Sequence, residues 1–238
     1  MATFIWNGAG NGHLMIEGRI GVLGGTFDPI HGGHLDAAAA ARRACALDTV
    51  LLVPARAPAH RASAPRAPAV HRFAMAALAA QGCDDLRVSD IELRYEGPSF
   101  TSVTLERLAA LGHRPEQLFF ITGADAFADI AAWHDYPAVL DRSHFVVVAR
   151  PGHSLAALRA QAQLRARMRE AAGSAPARGE SVSIWLVDAA TRDVSSSALR
   201  RRVGAGEPID GLVPDAVARH IARHDLYSAQ SPASCLHA

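Results

Sequence analysis

The sequence predicts an α/β fold: a Rossmann-like, doubly wound parallel sheet with helices on both faces. Three observations predict it. Continuous apolar runs of strand length recur along the chain, as expected of parallel strands covered on both sides. Segments with helical spacing alternate with them, the pattern of a parallel sheet. The 238 residues, half of them hydrophobic, suffice for one sizeable core.

The elements follow in order. Residues 1–18 read as a loose leader, with Met15 an alternative start. The "GAGNGH" inside it has the outline of a nucleotide fingerprint. No helical segment follows before the next strand, so it is read as a decoy. From Arg19, "RIGVLGG" is a short buried strand, followed by the loop "GGTFDPIHGGH" (residues 24–34) and the helix "HLDAAAAARRACA". "TVLLVPA" is a buried strand, "APAHRASAPRAPAV" an irregular Pro/Ala-rich loop, and "HRFAMAALAA" a helix. "LRVSDIEL" is a strand, "TSVTLERLAAL" a helix, "QLFFITGAD" a strand and "FADIAAW" a short helix. "HFVVVARPG" is a strand, "LAALRAQAQLRARMREAA" a helix and "VSIWLVD" a strand. "SSSALRRRV" and "PDAVARHIARHDL" close the chain as helices. Residues 19–228 therefore form a single domain, and residues 229–238 a tail.

Composition narrows the function. Net charge is +1, so no global field draws the protein to nucleic acid or membrane, and an anion site must be local. Lysine is absent, and all 24 basic residues are arginine. A phosphate clamp must use arginine, histidine or backbone N–H groups. Cys45, Cys83 and Cys235 are scattered without C-x-x-C spacing, which argues against a zinc ribbon or disulfide framework and suits a reducing, cytoplasmic setting. No apolar run reaches the roughly 20 residues of a membrane span. The arginines of the segment at 159–169 alternate with Leu155, Leu158, Leu164 and Met168, the pattern of a solvated amphipathic helix. Single-strand binding would want interleaved aromatic residues, which are missing.

In a doubly wound sheet, ligands bind beyond the carboxyl ends of the strands. The loops after Leu23, Val53, Ile121 and Val187 lie at that end. In the first, His31 and His34 stand three apart at the opening turn of a helix and share a face. The free N–H groups and dipole of a helix start favour an anion. Gly24 and Gly25 let the backbone approach it closely. A histidine pair alone reads equally as caps or metal ligands. The preceding Gly-Gly and the enclosed Asp-Pro favour phosphate, and the absence of G-K-[ST] excludes a Walker loop. Ser195 and Ser196 open a later helix as a second anion nest, with Arg200 one turn beyond; alone they read as N-cap serines and a solvated arginine. Asp125 follows a strand end, where a carboxylate accepts from ribose hydroxyls or caps the next helix. Trp133, from periodicity alone, reads as core.

"GGTFDPIHGGHL" resembles the signature of the H-x-G-H nucleotidylyltransferases, and in full that of bacterial nicotinate-mononucleotide adenylyltransferases. The resemblance covers residues 19–227. "VPARAPAHR" is similar to the family's loop after the second strand, with Arg56 in place of the usual Asn and Ala59 in place of a second Pro. "GPSFTSV" is similar to Gly-Pro-Ser-Tyr-Thr, with Phe100 for Tyr and Val103 where Asp is frequent. "GADAFADIAAW" and "VSSSALR" match two further segments. The resemblance implies adenylyl transfer from ATP to nicotinate mononucleotide. It implies that Gly24, Gly25, Thr26, Phe27, His31, His34, Gly123, Asp125, Ser195, Ser196 and Arg200 hold ATP, with His31, His34 and Arg200 acting on its phosphates. It further implies that His60, Arg61, Thr101, Trp133 and His134 hold the mononucleotide. Magnesium is expected to travel with ATP, since no dedicated carboxylate cage or other metal-ligand set is evident. Two alternatives stand: another acceptor, such as nicotinamide mononucleotide or phosphopantetheine, and a non-catalytic nucleotide binder. His31 and the Trp133 segment count against phosphopantetheine.

Overall fold

A computed structural model describes residues 18–58, 64–152, 155–171 and 180–228. The chain opens with β1 (Ile20–Gly25), α1 (Gly32–Cys45), β2 (Thr49–Pro54), α2 (Ala69–Ala79), β3 (Leu86–Val88) and α3 (Thr101–Ala110). It continues with β4 (Leu118–Gly123), α4 (Ala124–Ala128), β5 (His144–Val148), the single-turn α5 (Ala156–Arg159), β6 (Met168–Glu170), β7 (Ile184–Val187), α6 (Ser196–Gly204) and α7 (Asp215–Arg223). The strands form one parallel seven-stranded sheet in the order β3-β2-β1-β4-β5-β7-β6.

The period of two along each strand builds two cores. Val22, Leu51, Phe120, Val147 and Leu186 point to one face, which α3, α4 and α5 cover with Leu105, Phe127 and Leu158. Their neighbours Leu23, Leu52, Ile121, Val148 and Val187 point to the other, which α1, α2 and α7 cover with Ala41, Met75 and Val217. Both faces being buried, the strands carry no polar alternation. The order reverses at β1, which pairs with β2 on one side and β4 on the other. The crevice of a doubly wound sheet opens at such a reversal.

Two expected elements are shorter than the pattern suggests. The strand "LRVSDIEL" stops at Val88: Ser89 N–H donates to Leu52 O as the last rung, and Leu93 N–H then donates back to Asp90 O in a turn. The long helix from residue 155 breaks into α5, a 3-10 turn at Ala162–Arg167 and β6. The otherwise open edge of β7 takes up Met168–Glu170 as a strand, so tertiary pairing overrides helix propensity. Leu158 and Leu164 still face the core. The arginines are spent within the chain: Arg159 makes a bidentate pair with Glu170, and Arg167 bonds Asp141. Likewise "FADIAAW" is α4 followed by a 3-10 turn at Ile130–Ala132. Among the described residues, no helix is long and apolar enough to cross a membrane.

One buried imidazole makes the fold sensitive to acid. His144 accepts from Ser183 N–H at 3.0 Å and Trp185 Nε1–H at 3.3 Å, with its ring stacked on Phe119. Burial pulls it down to about 4 from an ordinary value of 6.5. Above pH 6.5 the histidine is neutral in both the folded and unfolded chain. Below it the unfolded chain takes up the proton first, so stability is lost as pH falls from 6.5 towards 4, on the order of 3 kcal/mol for such a shift. The melting temperature, followed by circular dichroism, should fall over that window. His144→Asn, which keeps an acceptor but no titration, should lessen the fall, the buried His31 accounting for a similar share.

Candidate active site

A cleft of about 340 Å³ opens at the carboxyl ends of β1, β2 and β4, where the strand order reverses. Its floor is Gly24, Gly25 and Thr26; one wall carries His34 and Gly33, the other Thr101, Trp133, Gly123 and Asp125. The loops after Leu23, Val53 and Ile121 thus converge, as the topology rule requires. The loop after Val187 lines an adjoining recess, with Arg150 common to both.

The turn between β1 and α1 is set by local fit. His31 is the N-cap of α1, and its amide donates to His34 Nδ1 at 3.2 Å, which leaves the proton of His34 on Nε2. The two rings stack at 3.7 Å, and the edge of Phe27 meets His34 at 5.1 Å. A side chain at Gly25 would strike the Phe27 ring, and one at Gly32 the Arg192 guanidinium. That guanidinium forms a bidentate pair with Asp36 and donates to Gly32 O, clamping the first turn of α1. His31 is buried and its Nδ1 has no partner. Burial, followed by the nearby Arg150 and Arg192 charges, pulls it down to about 4. It is therefore a neutral imidazole at physiological pH.

Beneath the turn lie two buried charges. Asp28 Oδ2 accepts from Arg66 N–H at 2.9 Å, and Oδ1 from Ala67 N–H at 3.0 Å and the Tyr227 hydroxyl at 2.8 Å. Burial, then the Asp28 carboxylate, pushes the Tyr227 phenol upward, so it stays a donor. Arg72, on α2, donates to Ala55 O at 2.6 Å, Thr26 O at 2.8 Å, Ala67 O at 3.1 Å and Arg56 O at 3.2 Å. It thereby ties the ends of β1 and β2 together below the cleft.

The remaining expected residues fall into three groups. Trp133 packs edge-on to Phe120 at 6.0 Å and Phe145 at 6.3 Å while lining the cleft, so it is core and wall at once. Ser102 Oγ lies 2.9 Å from His134 Nδ1, and the His134 ring stacks on Phe100, so the first turn of α3 is tied to the segment after Trp133. Asp125 pairs with Arg150 at 3.1 Å. A second group lies behind the cleft lining. Ser195 caps α6 by accepting from Ala198 N–H, and Ser196 Oγ donates to Pro29 O. Arg200 donates to Asp28 O at 2.7 Å and Ser197 Oγ at 3.0 Å, so Ser196 and Arg200 hold the turn from below. A third group, His60 and Arg61 with Ala59, lies outside the described residues. Arg56 donates to Tyr95 O at 3.0 Å and props the loop that carries Glu92.

Sequence reading missed Arg72, Glu92, Ser102, Arg150 and Arg192, and the depth of Asp28. Glu92 is a buried cleft carboxyl, pushed upward by burial, with Oε1 accepting from Thr104 at 2.6 Å and Oε2 unpartnered. Arg72 carried a usable signal: with Met75, Ala76 and Ala79 it falls on the buried stripe of its helix.

A family model for cytidylyltransferase-like proteins matches residues 22–202. The chain belongs to the cytidylyltransferase-like family. Among its cytidylyltransferase-like relatives is the probable nicotinate-nucleotide adenylyltransferase of Roseiflexus sp. (strain RS-1), 42% identical over 213 residues, covering 90% of this chain and all of the relative. That of Symbiobacterium thermophilum is 40% identical over 210 residues, covering 88% and 95%. A Plasmodium falciparum nicotinic acid mononucleotide adenylyltransferase complexed with NaAD shares the fold, with a TM-score of 0.67 at 17% identity over 89% of this chain and 98% of that one.

The buried guanidinium generates a stability prediction. Arg72→Met should leave carbonyl groups of both strand ends unsatisfied and cost about 3–5 kcal/mol in urea unfolding. Arg72→Lys, charged but without the planar fork, should recover less than half of the loss.

Proposed function

We propose that this cytidylyltransferase-like protein transfers the adenylyl group of ATP to nicotinate mononucleotide, giving nicotinate adenine dinucleotide and pyrophosphate in NAD biosynthesis. The observation that carries this reading is the meeting, in one cleft, of the His34 turn with the Thr101–Trp133 wall. Relatives named for this activity, alignable over nearly their whole length, support it.

In this reading the triphosphate lies over Gly24, Gly25 and the start of α1, where backbone N–H groups and the helix dipole favour anions. The proton on His34 Nε2 and the neutral His31 imidazole donate to phosphate oxygens. Thr26 and Phe27 shape the turn, Gly123 lets the chain pass close to the nucleotide, and Asp125 accepts from the adenosine ribose. Ser196 and Arg200, bonded to the carbonyls of Pro29 and Asp28, and Ser195, the cap of α6, act on the β- and γ-phosphates by holding the turn from behind, and Arg150 adds a guanidinium at the cleft rim. Across the cleft, Trp133 stacks on the pyridine ring, and Thr101 with the His134 backbone N–H holds its carboxylate. Ser102 is a positioning residue, since its bond to the His134 ring keeps those two donors in one wall. His60 and Arg61 complete the grip on the mononucleotide.

A phosphate oxygen of the mononucleotide attacks the α-phosphorus in line. The bond from that phosphorus to the β-bridging oxygen breaks, and pyrophosphate leaves with the electron pair. The protein contributes positioning and charge stabilisation rather than a nucleophile. Asp125 pairs with Arg150 and Glu92 accepts from Thr104, each through one carboxyl oxygen, and magnesium is read as entering with ATP. When bound, that ion neutralises charge developing on the leaving group.

Pyrophosphate release with ATP and magnesium should require nicotinate mononucleotide, with the amide turned over more slowly; no release with either would sink the proposal. His34→Ala should fold and lose about 100- to 1,000-fold in kcat. Thr101→Val should narrow the acid-over-amide ratio of kcat/KM, read from parallel assays of both acceptors, while kcat for the amide changes little.

A further inference from the structure

Outside the cleft, three histidines from two helices converge on one point. His71 stands in the first turn of α2; His220 lies on α7 and His224, four residues on, is the C-cap of that helix. His71 Nδ1 lies 3.1 Å from His220 Nε2, and one nitrogen from each of the three rings falls within 4.8 Å of the others. Ring centroids are 4.4 Å apart for His220 and His224 and 4.9 Å for His71 and His224. Among the described residues this is the single group of three or more histidine, cysteine or carboxylate side chains so arranged.

We propose that His71, His220 and His224 bind a zinc-like divalent ion through three imidazoles, with water in the fourth position. Two imidazole nitrogens on one tetrahedral zinc stand about 3.3 Å apart, given Zn–N bonds near 2.0–2.1 Å. The His71–His220 pair already has that spacing. His224 is exposed at the edge of the cluster, and rotation of its side chain closes the remaining gap. The ligand class is set by the donors: an all-imidazole set suits zinc, nickel, cobalt or copper and not magnesium or calcium. The ion would staple α2 to α7. His71 is next to Arg72, and His224 precedes by three residues Tyr227, the donor to Asp28. Its occupancy therefore stiffens the foundation of the cleft without touching a nucleotide.

The test is zinc binding to the tag-free, chelator-stripped full chain, by equilibrium dialysis with metal analysis, alongside melting curves with and without zinc. The wild type should take up one zinc per chain and melt at a higher temperature with zinc present. His224→Asn, at an exposed position that folding tolerates, should weaken binding roughly 100-fold or more and abolish the zinc-induced shift. His71→Asn and His220→Asn should do the same, and cobalt should give tetrahedral absorption bands in the wild type alone. No binding by the wild type, or the same stoichiometry and affinity in all three variants, would overturn the proposal and leave the cluster a histidine–histidine hydrogen bond.

Discussion

The ordering of this cleft rests on the backbone of one residue, Ala67. Ala67 donates its N–H to the buried carboxylate of Asp28 and offers its carbonyl to the buried guanidinium of Arg72. Through it a negative and a positive charge are fixed below the His31–His34 turn, each surrounded by backbone groups of opposite polarity. Burying an ion is expensive unless its hydrogen-bonding capacity is filled. Asp28 fills its own with two amides and a phenol, Arg72 with four carbonyls. The desolvation penalty is offset by making these charges the junction of four segments: the turn after β1, the end of β2, the loop before α2 and the residues after α7.

With that frame rigid, the cleft needs little charge of its own. The chain is nearly neutral, and His31 is held uncharged by burial and by the arginines around it. The positive field comes from guanidinium groups placed around the turn: Arg150 beside Asp125, Arg192 over Gly32 and Arg200 below Asp28. Each already has an intramolecular partner, so each is aimed before any ligand arrives. Prepaid orientation of this kind lowers the cost of ordering long side chains on binding.

The parts of this architecture that follow from short-range pattern were legible in the sequence. Strands such as Thr49–Pro54 and His144–Val148 announce themselves as unbroken apolar runs, and the His31–His34 turn by its glycines and spacing. Thr101, Trp133 and Asp125 were found through a motif, and they do share a cleft. What was not legible depends on distant partners. Arg72 falls on the apolar stripe of its helix, but the carbonyls that receive its guanidinium come from the distant ends of β1 and β2. The segment at 155–171 reads as a helix until β7 offers an edge. Arg200 and the serines of α6 sit behind the turn because Pro29 and Asp28 turn their carbonyls towards them. The histidine cluster joins residues 149 positions apart, a separation no local pattern reveals.

The hydrogen bond from Tyr227 to Asp28 spans 199 positions of sequence. A ribosome delivers the two groups in order, the carboxylate 199 residues before the phenol. Until the second emerges, the Asp28 carboxylate lacks one of the donors it has in the folded chain. The support of the turn is thus complete only after Tyr227 has been made, although the signature of the turn is translated 199 residues earlier. A chain released before α7 would carry every glycine and histidine of the turn and still lack the support beneath them.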